Sequence, residues 1–92
     1  MTLPIIHMNG TGAETLRDDA LRIARALRDV EDAFGKAEFN ARDYYCHPDP
    51  SAWDKAREER HVMLRSVRSM IADMMAQAEH AQGIISAKEA RR

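Results

Sequence analysis

The stretch LRDDALRIARALRDVEDAF, residues 16–34, sets Leu16, Ala20, Ile23, Leu27, Val30 and Phe34 at alternating steps of four and three. That spacing keeps apolar side chains on one stripe of an α-helix, an a/d seam sustained for almost three heptads. Thr11 followed by Glu14 has the spacing of a capping box, so a helix is expected over about residues 12–39. Gly35 weakens its last turn, and Asn40 is a candidate left-handed cap. The run Asn40 to Pro50 reads as an elbow, because Pro48 and Pro50 push the residues before them toward extended backbone.

Ser51 and Asp54, at N-cap and N3 spacing, restart a helix over about residues 51–82, with Gly83 as its stop and 83–92 as a fraying tail. Its apolar set includes Trp53, Ala56, Met63, Leu64, Val67, Met70, Ile71, Met74, Met75 and Ala78. This stripe spans about 140° of the helix, against about 120° for the first helix. One all-α domain over residues 1–92 follows, an antiparallel two-helix hairpin preceded by an arm over 1–11. The second helix has more apolar surface than the first can cover. The hairpin is therefore expected to assemble, most simply as a dimeric four-helix bundle, through Met63, Leu64, Val67, Met70, Ile71, Met74 and Met75.

Folding the helices back on each other pairs Ala37 with Trp53, Phe34 with Ala56, Leu27 with Met63, Ile23 with Val67, Leu16 with Met74 and Ala13 with Ala78. Large then faces small near the elbow. The same register sets Glu31 beside Arg60, the charged residues that intrude on the two apolar stripes, and an ion pair between them is expected. Arg22, Arg25 and Arg28 form a row that Asp18, Asp29 and Asp32 can pair at four-residue spacing.

Composition narrows the function classes. With 92 residues the core is marginal and subunit association often supplies missing burial. The 14 Lys and Arg against 15 Asp and Glu give no overall field to attract nucleic acid. The single cysteine, Cys46, leaves no internal disulfide and fits a reducing compartment. No basic leader with a long apolar run and no stretch of roughly 18 apolar residues is present, so a cytoplasmic protein with no membrane partner is expected.

Metal and enzyme motifs read poorly. Glu58 and His61 have the Glu-x-x-His spacing of dimetal bundles but point away from the stripe centred at Val67. Cys46 and His47 lack two further ligands at recognisable spacing, and His7, His61 and His80 are scattered. Nucleophile elbows, phosphate loops and dinucleotide fingerprints are missing, so neither catalysis, cofactor nor metal is expected.

Two polar clusters exceed what a hairpin needs, His7-Met8-Asn9-Gly10-Thr11 and Asn40-Ala41-Arg42-Asp43-Tyr44-Tyr45. The plain reading makes the first a turn and a cap, and the second an elbow whose tyrosines cover the bundle end while Arg42 and Asp43 pair locally. The functional reading makes His7, Asn9, Thr11, Asn40, Arg42, Asp43, Tyr44 and Tyr45 a ligand site. Arg42 would meet an anion, a Tyr face would stack on a planar group and Asn9 would supply polar specificity. One hairpin cannot bring both clusters together, whereas two antiparallel hairpins can, at intersubunit sites.

At these residues the chain resembles a family of small, uncharacterised bacteriophage and prophage proteins. Its pattern is Ile-His-(Leu/Met)-Asn-Gly-Thr near the start and Asn-Gly-Arg-Asp-Tyr-Tyr before an Ala-rich second helix. Ile6 to Thr11, Asn40 to Tyr45, Ala52-Trp53 and Ala56 to His61 carry the likeness, with Ala41 in place of the commoner Gly. The resemblance implies phage origin and an accessory role against host defence or regulation, in the cytoplasm of the bacterial host. Three functions compete: sequestering a small, phosphate-bearing host signal, inhibiting a host enzyme or regulator by docking on it, and assisting virion assembly.

Overall fold

The structure is a computed structural model that describes residues 1–6 and 12–91. The expected cap Thr11 and the cluster His7 to Thr11 lie outside the described residues, as does Arg92. Helix α1 spans Ala13–Lys36 and helix α2 spans Ala52–Ala90, with a 3-10 turn at Ala41–Tyr44 between them. The described residues form two helices and no strand, an antiparallel hairpin measuring 67 × 22 × 19 Å. No helix among them is long and apolar enough to cross a membrane.

The helices meet along small side chains. Ala13, Ala20 and Ala24 of α1 are buried against a face of α2 that buries Val67, Ala78, Ala81 and Ile85. Alanine lets the axes approach closely, but it leaves little apolar area to remove from water. Among the described residues no large side chain is completely buried.

The register differs from the expected one. Arg17 Nη1 donates to Gln82 Oε1 at 2.9 Å, and Arg68 Nε donates to Glu31 Oε2 at 2.8 Å. Partner numbers thus add to 99 (17 with 82, 31 with 68) rather than to about 90. The slide is about two and a half helical turns. The pairings of Ala37 with Trp53, Leu27 with Met63 and the rest are displaced with it, and Glu31 pairs with Arg68 instead of Arg60. Arg60 lies over the Phe39 ring at 4.1 Å and near the Phe34 ring at 5.8 Å.

The slide comes from the end of α1. The helix stops at Lys36 rather than near residue 39, and Ala37 is extended (φ −68°, ψ 135°) while its N–H still bonds to Ala33 O. Asn40 is extended too (φ −131°, ψ 136°), so it is no left-handed cap. The chain from 37 to 40 runs outward along α2 and carries Phe39 to Trp53, with ring centroids 4.8 Å apart. The first ten or so residues of α2 therefore project beyond α1, by about 15 Å, and this segment covers them.

Other boundaries shift for local reasons. The N-cap of α1 is Gly12, which offers no side-chain cap. Ser51 makes no cap bond to α2; its hydroxyl and its N–H both donate to Asp49 Oδ1, at 2.8 and 2.9 Å. Asp49 is thus the effective cap, with Pro50 just inside it, where a missing N–H does no harm. Gly83 does not stop α2, which continues to Ala90 because Ile85 still has α1 to pack on. The expected ladder on α1 pairs differently: of the arginine row Arg22 meets Asp19, and Asp32 is taken by Lys36, among the described residues.

The half-exposed Glu31–Arg68 pair should show coupling of about 0.2–1 kcal/mol in a double-mutant cycle by chemical denaturation. The Glu31–Arg60 cycle should show none.

Candidate functional site

The elbow is built around aromatic rings. Phe39 stacks on Trp53, Tyr44 leans on Trp53 at 5.8 Å and meets the edge of Phe39 at 6.3 Å. Arg60 closes one side over Phe39, and Arg57 lies 6.0 Å from the Trp53 ring centre. Cation–π contacts of this kind hold an arginine while leaving its polar edge in water. Tyr44 is half-buried and structural, whereas Tyr45, next in the chain, is 75% exposed.

Short polar links fix the turn. Asn40 Oδ1 accepts the Arg42 N–H at 3.0 Å, and the Asp43 N–H reaches Asn40 O at 3.1 Å. His47 Nδ1 accepts the Asp49 N–H at 3.0 Å, so the neutral ring carries its proton on Nε2. Asp49 Oδ2 takes Lys55 Nζ at 2.8 Å while Oδ1 takes Ser51. The lysine, then the Ser51 N–H and hydroxyl, hold the Asp49 carboxyl down at about 2, from an ordinary 3.8.

Between these residues lies an open cavity of about 430 Å³, walled by Ala41, Tyr44, Tyr45, His47, Pro48, Asp49, Pro50 and Trp53. A second hollow of about 300 Å³ shares Tyr44, His47 and Asp49 as a wall and adds Lys55 and Glu59. The aromatic faces and the imidazole suit a planar group, while the Lys55 ammonium at the second hollow is already neutralised by the Asp49 carboxylate.

The structure divides the expected elbow residues. Asn40 and Tyr44 are spent on the turn and the aromatic stack. Arg42 and Asp43 do not pair with each other; both side chains are exposed, without a hydrogen bond or ion pair among the described residues. Arg42 stands on the turn just outside the cavity wall. His47, Asp49, Trp53 and Lys55 were missed as site residues. Asp49-Pro50-Ser51 has the chemistry of an Asx turn, which could have singled out Asp49 as a fixed carboxylate rather than a spacer.

His7, Asn9 and Thr11 lie outside the described residues, but the arm leading to them is anchored. His80 Nε2 donates to Pro4 O at 2.9 Å, on α2 far from the elbow. From His80 to Trp53 is about 40 Å along the helix, so within one hairpin the arm and the elbow stay apart. The expected assembly residues also divide: Val67 is buried inside the hairpin, Leu64, Ile71, Met74 and Met75 are half-buried, and Met63 and Met70 are exposed.

Among the described residues no three of His, Cys, Asp and Glu gather closely enough to hold a metal ion. Comparison with protein-family models, with curated proteins and with solved structures gives no match to this chain.

Two outcomes test the local chemistry. Tyr44→Ala should lower thermal stability, by about 2 kcal/mol or more for a lost aromatic anchor, while Tyr45→Ala should leave it within about 0.5 kcal/mol. The depressed Asp49 carboxyl adds stability that is present above its ordinary 3.8 and is lost as pH falls toward about 2. Thermal melts across that window should therefore fall more steeply for the native protein than for Asp49→Asn.

Proposed function

We propose that the protein is a non-catalytic phage accessory protein that antagonises host defence or regulation in the bacterial cytoplasm by sequestering a small, phosphate-bearing signal. The binding unit is an oligomer of hairpins, most simply a four-helix dimer, and each site takes residues from two subunits. Arg42 meets the anion, Tyr45 offers a ring face and Asn9, with His7, supplies polar specificity from the other subunit.

The reading rests on one observation. Beside a cavity lined by aromatic rings, Arg42 and Tyr45 have side chains that the hairpin does not use, while the neighbouring Asn40, Tyr44 and Asp49 are all engaged. An exposed arginine and an exposed tyrosine do nothing for folding here, and both are the residue types that bind planar anions and form hot spots. The separation of arm and elbow within one hairpin then requires a second subunit to complete the site.

Docking on a host enzyme or regulator is the second reading, favoured by the exposed Ile23, Val30, Met63 and Met70. It gains if that face stays bare in the purified protein.

Native mass spectrometry of protein purified from infected cells reads subunit number and retained ligand together. Arg42→Ala and Asn9→Ala, each still assembled, should retain at least about tenfold less of a phosphate-bearing ligand, as loss of a charge-assisted or buried hydrogen bond implies. Full retention by both variants would leave the two clusters as a cap and an elbow.

A further inference from the structure

Arg60 differs from the other arginines of α2. Arg57, Arg65 and Arg68 are exposed, and each meets a carboxylate, of Asp54, Glu58 and Glu31 in turn. Arg60 is half-buried and meets none among the described residues. Its neighbours three and four residues along the helix are Ala56, Arg57, Met63 and Leu64, so its own helix offers no acid at pairing spacing. What holds the guanidinium is aromatic: it lies 4.1 Å from the Phe39 ring centre and 5.8 Å from that of Phe34. A cation held by ring faces keeps its N–H groups for another partner.

The guanidinium borders an open hollow of about 270 Å³ whose other walls are Val30, Ala33, Phe34 and Ala37. Val30 is 43% exposed, so part of this wall is apolar surface left to water. No acidic side chain lines the hollow. The nearby Glu31 and Asp32 are taken by Arg68 and Lys36, and Glu59 lines the second elbow hollow with Lys55. This hollow and the elbow cavity share no residue.

We infer that this hollow is a binding site for a small amphiphilic carboxylate. The carboxylate sits on the edge of the Arg60 guanidinium, and a compact apolar body lies against Val30, Ala33, Phe34 and Ala37. The planar fork of an arginine matches a carboxylate with two parallel hydrogen bonds. One positive charge fits a monoanion, whereas a phosphate dianion would bring an unmatched charge to apolar walls. The volume falls just under the ~300 Å³ at which sites begin to enclose drug-sized ligands, so the body is a single ring or a short branched chain. Because Arg60 is already held on Phe39, less side-chain freedom is lost when the ligand binds. The site goes beyond the elbow reading and stands apart from it, since it uses neither Arg42, Tyr45 nor the arm.

The test titrates the full chain with phenylpropanoate and follows backbone amide and arginine side-chain N–H resonances by NMR. Phenylpropanol and acetate serve as controls that lack the charge and the ring. The acid should bind saturably and at least about tenfold more tightly than either control, as loss of a charge-assisted hydrogen bond or of a buried ring implies. Its shifts should centre on Ala33, Phe34, Ala37 and the Arg60 side chain. Arg60→Gln should bring the acid down to the affinity of the alcohol. Because Arg60 also packs on Phe39, Ala33→Glu repeats the test at an exposed position outside the aromatic stack. That variant should keep helical circular dichroism and lose the acid, since its own carboxylate repels the ligand or takes its place on Arg60. Ala26→Glu, also exposed and about two turns away, should bind as the native protein does. Absence of saturable binding, equal binding of acid and alcohol, shifts centred on Tyr45 and His47, or full binding by folded Ala33→Glu overturns the proposal.

Discussion

The stacking of Phe39 on Trp53 sets the geometry of everything else in the molecule. It draws the chain out of α1 at Lys36, holds residues 37–40 extended along α2 and so fixes how far the two helices slide past each other. Arg60 over Phe39 and Tyr44 on Trp53 lock that position. Glu31 then falls opposite Arg68 and Arg17 opposite Gln82 as consequences of the slide. Both polar pairs are exposed enough that they tune the register rather than create it.

Much of the fold was legible because helical periodicity is a local property. The four-three spacing from Leu16 to Phe34 and the prolines of the elbow locate α1 and its connection to α2 within a few residues. What the pattern could not supply is where one helix sits along the other. A tight elbow and a slid one satisfy the same stripes, and matching large residues to small ones favoured the wrong pairing by about nine positions. The deciding contact joins Phe39, which lies outside either stripe, to Trp53. The end of α2 was misread for a related reason: Gly83 has the right chemistry for a stop, but Ile85 buried beyond it offsets the cost of about 1 kcal/mol for glycine within a helix.

The elbow shows the same division between local and tertiary information. The motif Asn40 to Tyr45 stood out by composition, yet composition could not say that Asn40 and Tyr44 build the turn while Arg42 and Tyr45 are left over. That split depends on Trp53, eight residues after Tyr45, and on the carboxylate of Asp49, which takes over the capping task Ser51 was expected to perform. Residues sharing a sequence motif therefore differ in duty according to which of them the aromatic stack consumes.

An alanine-lined contact between the helices has a further consequence. It turns the larger side chains of α1 away from α2, so that a seam regular enough to identify the helix is not the seam that holds the hairpin together. The hairpin buries alanines together with Val67 and Ile85 and leaves Ile23, Val30, Met63 and Met70 partly in water, so the contact between the helices removes little apolar area from water. The slide set by Phe39 and Trp53 fixes which residues of α1 and α2 come level, and how much of α2 the elbow has to cover. Register along the hairpin and the placement of the elbow's side chains are thus determined by the same aromatic contact.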